Sequence, residues 1–311
     1  MSAQRRPVLA TLLLAFCVIV VGAYVRLSDA GLGCPDWPLC YGRAMPGDDL
    51  GGSALHRAWK EMAHRYLAGA LGLLIVALLV LAWKRRRGVT LAGALVLVVV
   101  FQATLGMWTV TLLLRPAIVT AHLLGGMTTL ALLLWLFLSL GSYAPSGEVR
   151  ALRWPALTAL AAVAIQITLG GWVSANYAAL ACPDLPLCLG AAAPPMDFHN
   201  AFHVFRELGQ TGTGERLPAQ ALTAIHWSHR LFALLVVAVV GWAAFKAMPT
   251  MRALALGIAL LLTLQFCLGI ANVAFSLPLA LAAAHNAGAA LLLASLVVLN
   301  FFSFRGLRPS W

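Results

Sequence analysis

The sequence predicts an all-α integral membrane protein with eight transmembrane helices. Of its 311 residues, 62% are hydrophobic and only 10% are charged, whereas about 25% of residues are charged in soluble domains. Apolar stretches of the roughly 20 residues needed to cross a bilayer occur eight times. They lie near residues 8–25, 62–83, 89–110, 116–140, 154–173, 223–245, 252–273 and 279–303. The third and seventh are less uniform, because Gln102 and Gln265 interrupt them.

The distribution of charge predicts the orientation of these helices and argues against nucleic-acid binding. With the N-terminus inside, the inner segments carry twelve basic residues against one acid, Glu148, and the outer segments carry nine of each sign. The net charge of +11 therefore lies on one side, as expected for cytoplasmic segments. The twelve are Arg5, Arg6, Lys84, Arg85, Arg86, Arg87, Arg150, Arg153, Lys246, Arg252, Arg305 and Arg308. We expect both termini in the cytoplasm of a bacterium, and the first helix retained as an anchor in its plasma membrane.

An internal repeat divides the chain into two similar halves. Its matched segments are 22–25 with 170–173, 34–40 with 182–188, 64–65 with 229–230, 102–106 with 265–269, and 121–122 with 284–285. The order is the same in both halves, and the offset varies only between 148 and 165 residues. We expect two four-helix halves, residues 1–145 and 146–311. Because each has an even number of spans, the halves are parallel and related by a pseudo-two-fold axis along the membrane normal.

Four histidines recur at matched places in the two halves. They are His64, His122, His229 and His285. At about 1.5 Å per residue, each is expected within about 10 Å of the outer boundary. Two histidines at one depth on two helices can bind a haem iron from opposite sides. Any single histidine is better explained as a packed polar group, but a duplicated pair favours haem. A bare metal ion is less favoured, because no carboxylate or thiolate shares their depth.

Charged residues accompany two of these histidines. Arg65 and Arg230 follow directly, and either haem propionate contacts or interfacial snorkelling would explain them. Glu61 lies one helical turn before His64, whereas His226 occupies the matched place in the second half. An acid beside one pair alone could accept protons during a reaction. The alternative is that Glu61 has no role in a reaction and only interacts favourably with the positive N-terminal end of the helix dipole.

The remaining histidines and the cysteines lie mostly in the outer loops. Five residues, including two prolines, separate Cys34 from Cys40 and also Cys182 from Cys188. On an oxidising outer face we expect two disulfides, with a redox-active thiol pair as the rival interpretation and a zinc site as a weaker one. We expect a short amphipathic helix in each of the two long outer loops, on the outer surface or over a cleft; in the second loop, apolar and polar residues alternate at a helical period over 197–208. That helix would carry His199 and His203, which we interpret as surface residues rather than metal ligands; His56 and His226 show no more specific pattern.

Together the motifs resemble the haem A synthase family across nearly the whole chain. They are residues 31–40 (GLGCPDWPLC), Glu61-x-x-His64-Arg65, Ala121-His122, His229-Arg230 and Ala284-His285. The resemblance implies a membrane oxidoreductase that oxidises the C8 methyl of haem O to a formyl group. The route is an alcohol, a further hydroxylation and loss of water, and the product is haem A for terminal oxidases.

The resemblance also implies roles for individual residues. His229 and His285 would hold a haem b cofactor, and His64 and His122 the substrate haem. Glu61 matches the essential acid of the family. Cys34 and Cys40 match its loop disulfide, whereas only some members contain the pair matched by Cys182 and Cys188.

Expected partners are haem O, haem O synthase (protohaem farnesyltransferase), an electron acceptor and membrane lipid, and the sequence leaves homo-oligomers open. Two other classes remain as alternatives. A dihaem b-type electron carrier usually places its haems at different depths, which the four histidines disfavour. A haem-handling protein without chemistry would require neither Glu61 nor the loop disulfide.

Overall fold

The computed structural model describes residues 4–308, and these form nine α-helices. They are α1 (Arg5–Leu27), α2 (Gly52–Arg85), α3 (Val89–Thr111), α4 (Pro116–Ser139), α5 (Arg153–Ala175), α6 (Phe198–Ala201), α7 (Ala219–Ala247), α8 (Arg252–Ala274) and α9 (Leu279–Arg305). All except the four-residue α6 are long and apolar enough to cross a membrane. The predicted eight spans are confirmed, and the protein is a multi-pass membrane protein.

Two helices begin earlier than their apolar stretches. Helix α2 begins at Gly52, ten residues before the predicted 62, and α7 begins at Ala219 rather than 223. The added turns contain polar side chains such as Lys60 and Glu61. Hydropathy detects only the membrane-embedded part of a helix, so the polar extensions were missed.

The eight long helices pack as two groups of four. In the first group α1 contacts α2 and α4, and α3 contacts α2 and α4. In the second group α5 contacts α7 and α9, and α8 contacts α7 and α9. The groups meet through α1, α4, α5 and α9, and α9 is the most buried of the eight helices. One end of the bundle, here called the loop end, carries loops 28–51 and 176–218; the opposite end, with Arg87 and Arg305, is the arginine end.

Polar contacts join the two groups as well as apolar packing. At the loop end, Arg26 of α1 donates from Nη2 to the carbonyl oxygen of Ser174 at 2.7 Å, and its guanidinium lies 4.0 Å from the centre of the Tyr177 ring. Within the second group, Asn300 of α9 donates to the carbonyl oxygen of Ala156 in α5 at 2.8 Å, toward the arginine end. The core between these contacts is built from large buried side chains, including Leu133, Leu136, Phe301 and Phe302.

The predicted amphipathic helix over 197–208 is wrong beyond its first turn. Asp197 caps α6 by accepting from the backbone N–H of Asn200 at 3.0 Å, but the helix ends at Ala201. The chain then turns and buries Arg206, whose Nη2 donates to Oδ1 of Asn176 at 2.5 Å. A buried guanidinium needs a hydrogen-bond partner, and the turn after Ala201 brings Arg206 to Asn176, so the helix does not continue.

The short helix expected in the first outer loop is instead a 3-10 turn, Asp48–Leu50, which the early start of α2 at Gly52 follows. The short features at the arginine end were not predicted. At the arginine end, the linker between the groups contributes a 3-10 helix, Glu148–Leu152, and a strand β1 (Ala144–Pro145). That strand pairs antiparallel with β2 (Leu307–Arg308) and so fixes the end of α9 to the linker.

Candidate functional site

His64 of α2 and His122 of α4 meet inside the first helix group. Their ring centroids are 6.5 Å apart and their planes are inclined by 83°. Both residues are half-buried, so they are only partly shielded from the surroundings of the bundle. The two histidines therefore lie beside each other, whereas their common depth in the bilayer stays a prediction.

The second pair occupies corresponding places in the second group. His285 lies six residues after the first residue of α9, as His122 does in α4. His229 lies in α7, which carries the first histidine of the second pair as α2 carries that of the first. Both residues are half-buried, like those of the first pair.

A glycine on a neighbouring helix contacts each of the four imidazole rings. A Cβ atom added at that glycine would lie 2.7 to 3.5 Å from Cε1 of the ring. The contacts are Gly22 with His64 at 2.7 Å, Gly170 with His229 at 3.1 Å, Gly106 with His122 at 3.4 Å and Gly269 with His285 at 3.5 Å. The absence of a side chain lets the rings lie directly against the helix backbone.

Two glutamines within the apolar stretches of α3 and α8 bind the backbone of the histidine-bearing helices α4 and α9. Gln102 donates from Nε2 to the carbonyl oxygen of His122 at 2.8 Å, and Gln265 donates to that of His285 at 2.8 Å. These hydrogen bonds were not predicted, although both glutamines recur at one offset, which was the available signal.

The glycines that follow the histidines in α4 and α9 lie against the side chains of these two glutamines. A Cβ at Gly125 would collide with the side chain of Gln102, and one at Gly288 would lie 3.1 Å from Nε2 of Gln265. These glycines make room for the glutamines.

The residues of the two pairs fit a haem iron. Nδ1 of each of the four histidines is buried and has no hydrogen-bond partner within residues 4–308. A buried polar atom without a partner is costly and indicates that a bound group completes the site. Two metal–imidazole bonds of about 2 Å each, placed in line with half a ring at either end, span about 6 Å. The 6.5 Å between the rings of His64 and His122 matches that span.

The two outer loops close over α2 and α7 in the same way. Both predicted disulfides are present, Cys34–Cys40 with Cα atoms 4.8 Å apart and Cys182–Cys188 with Cα atoms 4.7 Å apart. Within the second loop, Asp184 accepts from the backbone N–H groups of Gly190 and Leu189. The hydrogen bond from Gly190 contributes most to holding the pKa of this carboxyl below its ordinary 3.8.

Asp36 accepts from Tyr41 and Gly42 in the matched places of the first loop, at 2.6 and 2.8 Å. Burial opposes ionisation of Asp36, but these hydrogen bonds and nearby Arg65 outweigh it, so its pKa is also lowered. The loop turns are thus built around one ionised aspartate each.

Arg65 and Arg230 fasten these loops to the helices. Arg65 donates from Nη1 to the carbonyl oxygens of Leu39 at 2.8 Å and Asp36 at 3.0 Å. Arg230 donates to those of Asp184 at 3.0 Å and Pro186 at 3.1 Å. A guanidinium has five N–H donors, and these loop contacts do not use all of them. Contact of either arginine with a haem propionate therefore stays a prediction.

Glu61 and His226 bind the loops at the same point with different chemistry. Oε2 of Glu61 accepts from the backbone N–H of Cys34 at 2.8 Å, and Oε1 pairs with Arg65 at 2.5 Å. Nδ1 of His226 accepts from the backbone N–H of Cys182 at 3.1 Å. Both side chains are buried. The first group therefore has a carboxylate where the second has an imidazole.

A second difference between the groups was not anticipated from the sequence. Gln166 of α5 donates from Nε2 to the carbonyl oxygen of His229 at 3.1 Å and lies 3.5 Å from Nε2 of that ring. Its matched residue in α1 is Val18. Because the two halves differ at this position, no repeated pattern in the sequence indicated it.

The other candidate residues do not assemble into a site. The rings of His199 and His203 are 6.4 Å apart, but no third metal-ligating side chain joins them among residues 4–308. Cys17 and Cys267 are exposed on membrane-spanning helices and are not bonded to each other.

Comparisons with known proteins cover almost the whole chain. Residues 5–297 match the family described as cytochrome oxidase assembly protein. A Heme A synthase from Shewanella oneidensis is 42% identical, and the alignment covers 94% of each chain. Two more proteins of that name are 28% identical in Caulobacter sp. strain K31, over 99% of this chain and 98% of the relative, and 29% identical in Nitrosospira multiformis, over 92% and 89%.

Proposed function

We propose that this chain, which belongs to the cytochrome oxidase assembly protein family, is a haem A synthase. It oxidises the C8 methyl of haem O to a formyl group, through an alcohol and a second hydroxylation followed by loss of water. The observation that carries the proposal is the pair of half-buried imidazoles at the separation expected for an iron between them. The 42% identity to a Heme A synthase over nearly the full chain supports the same activity.

We infer a division of labour between two parallel halves, residues 1–145 and 146–311, related by a pseudo-two-fold axis. Their matched helix contacts, loop turns and glycine–histidine contacts support this relation. His64 and His122 bind the substrate haem O, and His229 and His285 bind a haem b. The substitution of Glu61 by His226 between the halves supports placing the reaction at the first pair.

Glu61 is the proton acceptor in this proposal. Oxidation of a methyl carbon releases protons, and a buried carboxylate can accept them without exchange with bulk water. The pairing with Arg65 and the hydrogen bond from Cys34 hold Glu61 in one orientation. When bound, the haem iron supplies the path by which electrons leave the substrate for an external acceptor.

The reaction takes place toward the outer face in this proposal. The excess of basic residues at the arginine end supports cytoplasmic termini in a bacterial plasma membrane, and the histidine pairs lie nearer the loop end. Haem O carries an apolar tail, so we expect haem O synthase to deliver it through the bilayer. The exposed apolar helix surfaces would accommodate that tail.

The test is haem extraction and mass identification after expression in cells that make haem O. Wild type should yield haem A, and His64→Ala should yield none while retaining haem b. Glu61→Gln should retain bound haem but lose turnover by a factor of about 10² or more, as is typical of a lost general base. His226→Gln, the control at the matched position, should keep making haem A.

The same extraction separates the rival functions. Bound haem b together with unaltered haem O, and no haem A, would identify a haem-handling protein. Haem b at both pairs, with no haem O, would identify a dihaem electron carrier. Wild-type output of haem A from Glu61→Gln would remove Glu61 from the mechanism and leave the remaining assignments intact.

A further inference from the structure

A cavity opens at the arginine end of the first helix group, far from the histidine pairs. Its volume is about 410 Å³. The turn between α2 and α3 forms one wall, α4 a second and the end of α9 a third. The lining residues are Arg87, Gly88, Val89, Thr90, Leu91, Trp135, Ser139, Leu140 and Arg305.

The charges around this cavity favour an anion. Arg87 and Arg305 are exposed, and no carboxylate lies within ion-pair distance of either one in the described part of the chain. Arg305 lies over the ring of Phe301, with its guanidinium carbon 5.8 Å from the ring centre, so the ring orders this side chain. Residues 89–91 are the first turn of α3, whose backbone N–H groups have no partner within the helix. Two guanidinium groups and a helix N-terminus together form a strong site for phosphate oxygens.

The repeat explains why the space exists in this group. Ser139 near the end of α4 is matched, at the offset of 163 that aligns the two histidine helices, by Phe302 of α9. Phe302 is fully buried and packs its ring against Tyr143 at 4.9 Å and Phe301 at 5.4 Å between centroids. A serine leaves room at the matched place, and a phenylalanine would fill it.

We propose that this cavity binds the phosphate group of an anionic phospholipid from the leaflet at the arginine end. Position favours lipid over free phosphate, because the cavity lies where a membrane helix bundle meets the headgroup layer and one wall is the half-buried indole of Trp135. Basic pockets between transmembrane helices on the cytoplasmic side bind anionic headgroups. The site is separate from the histidine pairs and does not depend on the reaction proposed for them.

The experiment measures lipid binding by the purified full chain in detergent. Phosphatidylglycerol and phosphatidylcholine are added at equal molar ratios, and retained lipid is counted by native mass spectrometry while the thermal midpoint is followed. The variants are Arg87→Gln and Arg305→Gln, which remove charge, and Ser139→Phe, which fills the cavity. Arg252→Gln is the control, because Arg252 begins the matched helix α8 at the same end but does not line the cavity.

Wild type and Arg252→Gln should retain phosphatidylglycerol and gain thermal stability from it. Phosphatidylcholine should be neither retained nor stabilising, because its trimethylammonium group cancels the phosphate charge and is repelled by the two arginines. Each arginine variant should bind phosphatidylglycerol about tenfold more weakly, as for the loss of a charged hydrogen-bond donor. Ser139→Phe, which keeps both charges, should abolish the retained lipid. Equal retention by all five proteins would overturn the site. Displacement of the lipid by millimolar inorganic phosphate, with the same stabilisation, would overturn the lipid as its occupant.

Discussion

Replacing Gly22 with alanine would place a methyl group against the imidazole of His64. The added Cβ would lie 2.7 Å from Cε1 and 3.3 Å from Nδ1 of the ring. Ordinary van der Waals contact begins at 3.4 Å, so the ring must move by about 0.7 Å. The methyl belongs to the rigid backbone of α1, and therefore the histidine gives way.

The displacement should weaken haem binding without weakening the fold. A ligand ring moved by about 0.7 Å no longer meets an iron centred between the two imidazoles, and disturbances beside a metal ligand typically cost about 10–100-fold in affinity. In the helix itself, alanine is favoured over glycine by about 1 kcal/mol. Gly22→Ala should therefore leave the thermal midpoint of the haem-free protein unchanged or higher while it loses haem from the first pair.

The four glycine contacts make the prediction quantitative. The gap to the ring widens from Gly22 to Gly170, and then to Gly106 and Gly269. The required ring displacement is about 0.3 Å for Gly170→Ala and close to zero for the last two. The loss of haem affinity should follow the same order, with Gly170→Ala affecting the second pair.

The assay is a haem titration of each purified variant, followed by the absorbance of bound haem, with the thermal midpoint as a measure of folding. Gly93→Ala is the control, because a Cβ at Gly93 of α3 meets no atom within 4 Å. It should bind haem as wild type does. Wild-type haem affinity in Gly22→Ala, or losses that ignore the order of the gaps, would refute the role given to these contacts.

Two further changes test the supports around the pairs. Gln265→Leu removes the hydrogen bond to His285; haem titration should show about tenfold weaker binding at the second pair and unchanged binding at the first, and equal losses at both would contradict this. For Asp184, the folded carboxyl has a lower pKa than the unfolded one, so its contribution to loop stability is complete above pH 3.8 and is lost as the pH falls through the folded value. At each pH, reduction of Cys182–Cys188 by a phosphine is compared between wild type and Asp184→Asn, and the rate of wild type relative to the variant should rise as the pH falls below that value; a constant ratio would exclude this carboxyl as the cause.

The spans and the paired histidines were predictable because they follow from physical requirements that repeat along the chain. A bilayer imposes a minimum apolar length on every helix, and hydropathy measures that length directly. The duplicated histidines were visible because both halves retain them. Their pairing within one group was expected from matched places on two helices, and the rings of the first pair are 6.5 Å apart.

The contacts that hold the histidines were not predictable from one sequence. The contact of Gly22 with His64 depends on how closely α1 approaches α2, and glycine is frequent in membrane helices whether or not a ring lies against it. The early start of α2 was missed because polar residues outside the bilayer can be helical or not, and hydropathy does not distinguish the two. Arg206 was expected on a helical surface, but its hydrogen bond to Asn176 required a buried turn.

The differences between the halves have more functional content than their similarity. Similar packing at both pairs cannot by itself make one haem a substrate and the other a cofactor. Within the described residues, two differences lie directly beside the pairs: Glu61 with His226, and Val18 with Gln166. The first places a carboxylate near His64, and the second places an amide against the ring of His229 in the other half. Under the proposed function, in which one haem is oxidised and the other stays bound, the first difference would supply a proton acceptor at the first pair and the second an additional hydrogen-bond donor at the other.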